Sequence, residues 1–181
     1  MTILEEVAAD VGVHERTLRR GLADGLLRGR RPTILAPGEA TYLRAHWPLL
    51  SALRAVLRTE RNVRLAMLIG SAARGELTED SDVDLLVQLE DGGWRARDRL
   101  RERLRGAVDR PVDLLSIEAA EADPLLLRDV LEKGRVLVDR AGHVATLRDR
   151  EADIRARAAT ATAELRTEIH SLVARLSDDD A

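Results

Sequence analysis

The chain has 181 residues, of which 45% are hydrophobic and 34% are charged, and its formal net charge is −3. That size and hydrophobic content suit one ordinary core, or a small core with a mini-domain attached. The absence of cysteine excludes disulfides and thiolate metal sites. The sequence shows neither a signal-peptide pattern nor an apolar run near the ~20 residues of a membrane span, so we expect a soluble cytoplasmic protein with no membrane partner.

The first part of the chain has the pattern of a winged helix-turn-helix. Segments 2–10 and 14–23 each carry apolar side chains at helical spacing. Ala8 is small enough to let two helices cross closely, and Gly12 can form the turn between them. Two short strands, 26–28 and 33–36, are expected to flank a tip that resembles a wing. We therefore assign residues 1–37 to a winged helix-turn-helix and residues 38–60 to a connecting helix.

This module is rich in arginine. Between His14 and Arg31, six arginines stand against two acidic residues, which suits contacts with DNA phosphates. The second helix would face the major groove. The predicted DNA-binding residues are Arg16, Thr17, Arg19, Arg20, Arg30 and Arg31. One copy of so small a module binds weakly, so a homodimer on palindromic DNA is expected; the alternative is a helical hairpin that packs on the rest of the chain or on a partner.

The remaining sequence alternates strands and helices and predicts an α+β fold. Apolar runs predict strands at 63–69, 82–89, 111–117 and 135–138, and helical spacing predicts helices at 94–108 and 125–131. These elements define a predicted domain at 61–140. Residues 141–181 follow as a long C-terminal helix, whose narrow apolar stripe from Leu147 to Leu176 indicates a packing or oligomer surface.

A glycine-serine turn follows the first strand of that domain. Gly70 lets the backbone turn sharply and approach a ligand closely. A helix that begins at Ser71 would direct free N–H groups and the positive end of its dipole toward an anion, and the serine hydroxyl adds one more donor. The turn therefore predicts a binding site for a triphosphate.

Three aspartates complete this pattern. Asp82 and Asp84 are two residues apart on a predicted strand, so their side chains share a face and repel each other unless a cation lies between them. A two-metal site needs a third carboxylate, and Asp113 is the only acid in the strand at 111–117. We predict that Asp82, Asp84 and Asp113 are catalytic and hold two Mg²⁺ ions. The alternative is that they are surface carboxylates beside an ordinary turn.

The stretch from Val63 to Asp139 resembles the DNA polymerase beta-like nucleotidyltransferase superfamily, and specifically its minimal nucleotidyltransferases. The two residues of the turn match the motif that holds the nucleoside triphosphate, and the three aspartates match its carboxylates. Minimal members often read Gly-Ser-x-Ala-Arg-Gly-Glu, which this chain also reads. The resemblance implies nucleotide binding by Gly70, Ser71, Arg74 and Glu76, with Arg74 contacting phosphate or bracing Glu76, and it implies a mixed sheet with flanking helices.

The implied reaction is attack of a hydroxyl on the α-phosphate of a nucleoside triphosphate, with ATP as the expected substrate and pyrophosphate as the leaving group. Asp113 is best placed to help deprotonate the acceptor. Since the chain lacks a segment large enough for a substrate domain, the acceptor is expected on a partner. In the minimal family that partner is often a toxin encoded alongside, which receives AMP on tyrosine. A fused DNA-binding module fits an antitoxin that also represses its operon.

Two alternatives stay open at the level of sequence. The acceptor could be RNA or a small molecule, or the protein could be a transcription regulator that senses nucleotide without turnover. The three aspartates argue against the sensor, because sensing alone does not need a second metal ion.

Overall fold

A computed structural model describes residues 3–30 and 33–178 of the chain; Arg31, predicted to contact DNA, lies outside these ranges. The helices are α1 (Ile3–Asp10), α2 (Glu15–Asp24), α3 (Glu39–Thr59), α4 (Gly70–Arg74), α5 (Trp94–Val108), α6 (Ile117–Ala122), α7 (Pro124–Lys133), α8 (His143–Asp149) and α9 (Glu151–Asp178). The strands are β1 (Gly29–Arg30), β2 (Ile34–Leu35), β3 (Val63–Leu68), β4 (Val83–Leu89), β5 (Val112–Ser116) and β6 (Arg135–Asp139). None of the helices within these ranges has both the length and the apolar character to cross a bilayer.

A mixed four-stranded sheet forms the centre of the molecule, with the order β5-β4-β3-β6. Strand β3 runs antiparallel to both β4 and β6, whereas β4 and β5 run parallel. Strand β3, one of the two inner strands, is apolar on both faces, and its residues Leu65, Ala66 and Leu68 are fully buried. Helices therefore cover both faces of the sheet. The predicted α+β class, with its mixed sheet and long C-terminal helix, is confirmed.

The N-terminal elements belong to the same hydrophobic core as this sheet. Helices α1 and α2 are followed by the antiparallel hairpin of β1 and β2. Leu4, Val7 and Leu18 are fully buried and belong to the same hydrophobic cluster as Leu68 and Leu85 of the sheet. The described N-terminal elements thus share a core with the four-stranded sheet, and the assignment of residues 1–37 to a separate winged helix-turn-helix stays a prediction.

Three helical segments differ from the sequence-based expectation. Helix α3 continues through Pro48, although proline removes a hydrogen bond from a helix interior. The unpredicted helix α6 begins where the Ser116 hydroxyl accepts a hydrogen bond from the Ala119 amide. The long C-terminal helix predicted at 141–181 is divided at Arg150 into α8 and α9. This division lets α9 pack against α7 and bury Ile154 and Ala158.

Candidate active site

The glycine-serine turn lies directly beside the first residues of β4. Gly70 has a φ of +65°, a region that L-residues with a Cβ rarely adopt. A Cβ at this position would overlap the Oδ2 atom of Asp84. The backbone is held there because the Ile69 amide donates to the Asp84 carbonyl at 3.0 Å. Glycine is therefore required at this point both for its backbone conformation and for the close approach to an aspartate.

Two of the predicted aspartates lie next to each other on parallel strands. Asp84 of β4 and Asp113 of β5 are register partners. Asp84 is half-buried, whereas Asp113 is exposed, and Asp82 is exposed just before β4 begins. Burial, followed by the negative charges of Asp113 and Asp82, raises the pKa of the Asp84 carboxyl, and Arg74 offsets this only in part. The fold thus gathers negative charge at one end of the sheet.

A cleft of about 450 Å³ opens beside this pair of carboxylates. Gly70, Asp84 and Asp113 line it, together with Arg101 and Asp129. Its remaining lining residues are apolar, namely Ile69, Leu114, Leu115, Leu126 and Val130. The arrangement suits a ligand whose charged part meets the polar rim while a less polar part rests on the apolar side chains. Ser71 and Asp82 are not among the residues that line it.

Arg74 connects α4 with the neighbouring acidic side chains. Its Nε atom pairs with Glu76 Oε2 at 2.7 Å, and its Nη1 atom lies 3.9 Å from Asp129 Oδ2. Asp129 also pairs with Lys133 at 2.5 Å. The structure therefore shows the ion pair between Arg74 and Glu76, while a contact of Arg74 with phosphate stays a prediction.

Sequence reasoning missed Arg101 and Asp129. Asp129 follows Leu126 by three residues and precedes Val130 on α7, and all three line the cleft. Helical spacing could have placed Asp129 on the inner face of α7. It could not have shown which cleft that face meets, because this depends on where α7 packs.

A buried ion pair supports the helix that carries the turn. Arg135 and Glu39 are 1% and 3% exposed, and two parallel hydrogen bonds of 2.5 and 3.0 Å join them. The Arg135 Nε atom also donates to the carbonyl of Ala73 in α4 at 2.9 Å. Sequence reasoning missed this pair, because its members are far apart in the chain and neither interrupts the local pattern of its element.

Two further side chains extend this network. Tyr42 donates its hydroxyl to the carbonyl of Ala72 at 3.0 Å, and the Arg135 guanidinium lies over its ring at 3.4 Å. Arg28, just before β1, donates its backbone amide to Glu39 and its guanidinium to Ala73. Groups from the N-terminal module, α3 and β6 therefore converge on the carbonyls at the C-terminal part of α4.

The donor set of the site fits Mg²⁺ by chemistry and by charge. Carboxylate oxygens are ligands that Mg²⁺ prefers, and burial together with the negative charges of Asp113 and Asp82 raises the pKa of Asp84. Among residues 3–30 and 33–178, however, no three His, Asp or Glu side chains are already arranged to hold a metal ion. Asp82 and Asp113 are exposed and can rotate. A cation would therefore have to draw these carboxylates together.

The structure describes five of the six residues predicted to contact DNA. Arg16 and Arg20 of α2 are exposed, and so is Arg30 of β1. Arg19 pairs with Glu15 one turn earlier at 2.7 Å, and Thr17 is half-buried. The ring of His14, immediately before α2, accepts a hydrogen bond from the Arg16 amide at 3.1 Å. Three of the arginines are thus accessible to a ligand.

Comparison with known proteins identifies relatives by family and by fold. Residues 51–142 match the family model described as polymerase beta, nucleotidyltransferase. A toxin–antitoxin crystal structure with AMP-PNP matches with 23% identity and a TM-score of 0.53, over 68% of this chain and 98% of that one. Two mutants of the toxin–antitoxin complex MntA–HpeT also match, each over 68% of this chain. One mutant has 21% identity and a TM-score of 0.53 over 98% of its chain. The other mutant has 24% identity and a TM-score of 0.51 over 96% of its chain. At these identities the similarity establishes a common fold. The comparison with curated proteins gives no match.

Proposed function

Because the chain belongs to the polymerase beta nucleotidyltransferase family, we propose that it transfers AMP from ATP, in the presence of Mg²⁺, to a hydroxyl group of a partner protein. The observation that carries this proposal is the pairing of Asp84 with Asp113 beside the Gly70 turn. Uncompensated carboxylates next to a close backbone turn are what a metal–triphosphate complex needs.

Each residue of the site has a role in this proposal. Asp82, Asp84 and Asp113 would hold two Mg²⁺ ions, which supply charge stabilisation for the triphosphate and help to activate the acceptor hydroxyl. Gly70 and Ser71 orient the triphosphate through backbone and hydroxyl donors. Arg74, braced by Glu76, contacts a phosphate oxygen. Asp113 is exposed and can reach an acceptor that enters from solvent, where it accepts the proton of the hydroxyl.

A cognate toxin is the proposed acceptor. In the described ranges, the elements outside the sheet and its covering helices are the small N-terminal module and α9, so no separate substrate domain is present. We therefore propose that the acceptor belongs to another molecule. The three similar structures described above come from toxin–antitoxin crystals, one of them with AMP-PNP, and this supports a toxin over RNA or a small molecule.

The test is transfer of labelled AMP to the protein encoded by the neighbouring gene, together with release of pyrophosphate. Asp82→Ala combined with Asp84→Ala should abolish both signals. Glu79→Ala combined with Asp80→Ala is the matched control, because these exposed acids lie in the same loop. Transfer that survives the loss of Asp82 and Asp84 contradicts the proposed site. Extension of RNA in place of modified protein contradicts the proposed acceptor.

We also propose that the N-terminal module binds DNA and couples the enzyme to control of its own operon. The exposed arginines Arg16, Arg20 and Arg30 support this proposal. The protein should shift duplex DNA from upstream of its own gene in a manner that weakens steeply with salt. Absence of a salt-sensitive shift contradicts DNA binding without touching the enzymatic proposal.

A further inference from the structure

A second cleft, of about 730 Å³, lies between α2, α3, β6 and α8 and shares no residue with the aspartate cleft. We call it the arginine cleft, after five of its lining residues: Arg20, Arg54, Arg58, Arg140 and Arg148. The sequence-based prediction of DNA contacts includes only the first of these. The other four come from parts of the chain that the sequence does not connect with the N-terminal module.

The arginine cleft holds positive charge that the protein does not neutralise. Within the described ranges, Arg54, Arg58 and Arg148 make no ion pair with an acidic side chain, and the buried Nε atom of Arg54 has no hydrogen-bond partner. Burial lowers the pKa of Arg54, and the positive charges of Arg58 and Arg20 lower it further, although Asp24 acts in the opposite direction. Mutually repelling cations held this close are stabilised when an anion binds between them.

The acidic residues of the cleft do not remove this excess. The five arginines outnumber three aspartates. Asp139 accepts hydrogen bonds from the amides of His143 and Val144 at 3.0 and 3.1 Å and so caps α8. Asp24 lies at 3.7 Å from Arg20, which is 78% exposed and therefore free to turn toward a ligand.

The arginine cleft continues into the surface of α2. An adjoining cavity of about 460 Å³ is lined by His14, Arg16 and Thr17 together with three residues of the arginine cleft, Arg20, Arg54 and Arg58. The basic surface therefore runs without a break from the start of the predicted recognition helix to α8. A surface of this extent suits a polyanion better than a single phosphate.

The lining of these two cavities also indicates which part of a ligand they recognise. Among the described residues, neither cavity is lined by a Phe, Tyr or Trp side chain on which a base could stack. The lining therefore favours recognition of phosphates, as when a protein follows the backbone of a duplex. Among the described residues that line these cavities, single-stranded nucleic acid would find the ring of His14 to stack on but no Phe, Tyr or Trp.

We propose that the arginine cleft binds the sugar–phosphate backbone of duplex DNA and extends the contact made by α2, with Arg54, Arg58 and Arg148 as additional phosphate-binding residues. This inference rests on the DNA-binding part of the proposed function and deepens it. The cleft would hold the protein on DNA in a sequence-independent way, while α2 and the hairpin contact the grooves.

The experiment measures binding of the full chain to a random-sequence duplex of about 30 base pairs over a range of salt concentrations, because backbone contacts are independent of sequence. Arg54→Gln combined with Arg58→Gln should reduce the slope of log affinity against log salt by about 2, since each phosphate contact contributes roughly 0.9. Affinity at low salt should fall by about 10- to 100-fold. Pyrophosphate release should stay at the wild-type level, which shows that the variant is folded.

Two further variants separate the possible outcomes. Arg99→Gln combined with Arg105→Gln removes the same charge from exposed positions of α5 and should leave binding unchanged. Arg16→Gln combined with Arg30→Gln tests the helix-turn-helix outside the arginine cleft. If this variant weakens binding while the change at Arg54 and Arg58 does not, the cleft proposal fails and DNA binding by α2 stands. Failure of the wild type to bind duplex, or a preference for single-stranded RNA or ATP at these arginines, overturns the cleft proposal.

Discussion

Two regions of the molecule bring charged side chains together, and they differ in how the charges are balanced. Glu39 and Arg135 are buried, opposite in sign and joined by two hydrogen bonds. Asp84 and Asp113 are adjacent and of the same sign, and Asp82 adds to the repulsion. The first region holds the framework in place, because its charges are satisfied within the protein. The second region leaves its like charges largely uncompensated by the protein, which supports the prediction that it is the active site.

The largest expected effect is the loss of AMP transfer when one carboxylate of the repelling pair, Asp84 and Asp113, is neutralised. Asp84→Asn should lower AMP transfer by at least about 1,000-fold, because the carboxylate is expected to bind metal. The same change should leave the free energy of unfolding unchanged or raise it by about 0.5–1 kcal/mol, because it relieves a like-charge repulsion. Pyrophosphate assays and urea denaturation measure the two quantities. A clearly destabilised Asp84→Asn variant would mean that this carboxylate is structural.

Removal of one partner of the buried Glu39–Arg135 pair should instead lower the free energy of unfolding. Glu39→Gln leaves the Arg135 charge buried without its counter-charge and should lower the free energy of unfolding by about 3–5 kcal/mol. The control is Glu90→Gln, which breaks the exposed pair with Arg64 and should cost about 0.5 kcal/mol. Thermal and urea unfolding measure both. Equal effects of the two changes would show that the buried pair does not hold the framework.

Gly70 links the two regions through the backbone. Gly70→Ala introduces strain at a positive φ and a clash with Asp84, so both stability and activity should fall, the former by about 2 kcal/mol. Gly12→Ala is a matched control, since Gly12 has a φ of +68° but an alanine Cβ there would meet no heavy atom of a residue beyond its chain neighbours within 4 Å. That control should cost about 1 kcal/mol and leave AMP transfer intact. Loss of activity in both variants would point to a general loss of structure.

The smallest expected effect is on the pH dependence of stability, through the ionisation of Tyr42, the single tyrosine of the chain. Burial raises the pKa of its phenol to about 12, although the positive charge of Arg135 acts in the opposite direction. In the unfolded chain the phenol ionises near pH ~10, so its contribution to stability is present below that pH and is lost as the pH rises toward 12. Ultraviolet titration of tyrosinate should show the delayed ionisation. A midpoint at the ordinary value would mean that Tyr42 is not enclosed by the network.

Local pattern accounts for much of the fold. The helix predicted at 94–108 is α5 with the same bounds, and the four predicted strands of the sheet are present within one or two residues at each end. In these elements the apolar residues recur at a regular spacing, and turn-forming residues mark where each element ends. The unpredicted α6 is short, and the capping residue Ser116 is the one sequence feature that indicates it.

The candidate site could be approached from sequence because most of its motif lies in one short segment, from Gly70 to Asp84, and resembles a known family. The predicted grouping of Asp113 with Asp82 and Asp84 required only that two strands be neighbours. The pair of Glu39 and Arg135 could not be predicted, since its partners are 96 residues apart and nothing in the local pattern connects them. The arginine cleft was missed for the same reason, because four separate elements build it.

The hydrogen bond from the Val136 amide to the carbonyl of Gly25, at 3.1 Å, has a consequence for solubility. Strand β6 is an outer strand of the sheet, and an open outer strand can pair with another copy and seed aggregation. The N-terminal module covers part of this edge, and the missing side chain of Gly25 lets its backbone approach Val136. The module therefore hinders association of two copies through β6, whether or not it also binds DNA. A chain shortened to the catalytic region should aggregate for this reason even if its active site is intact.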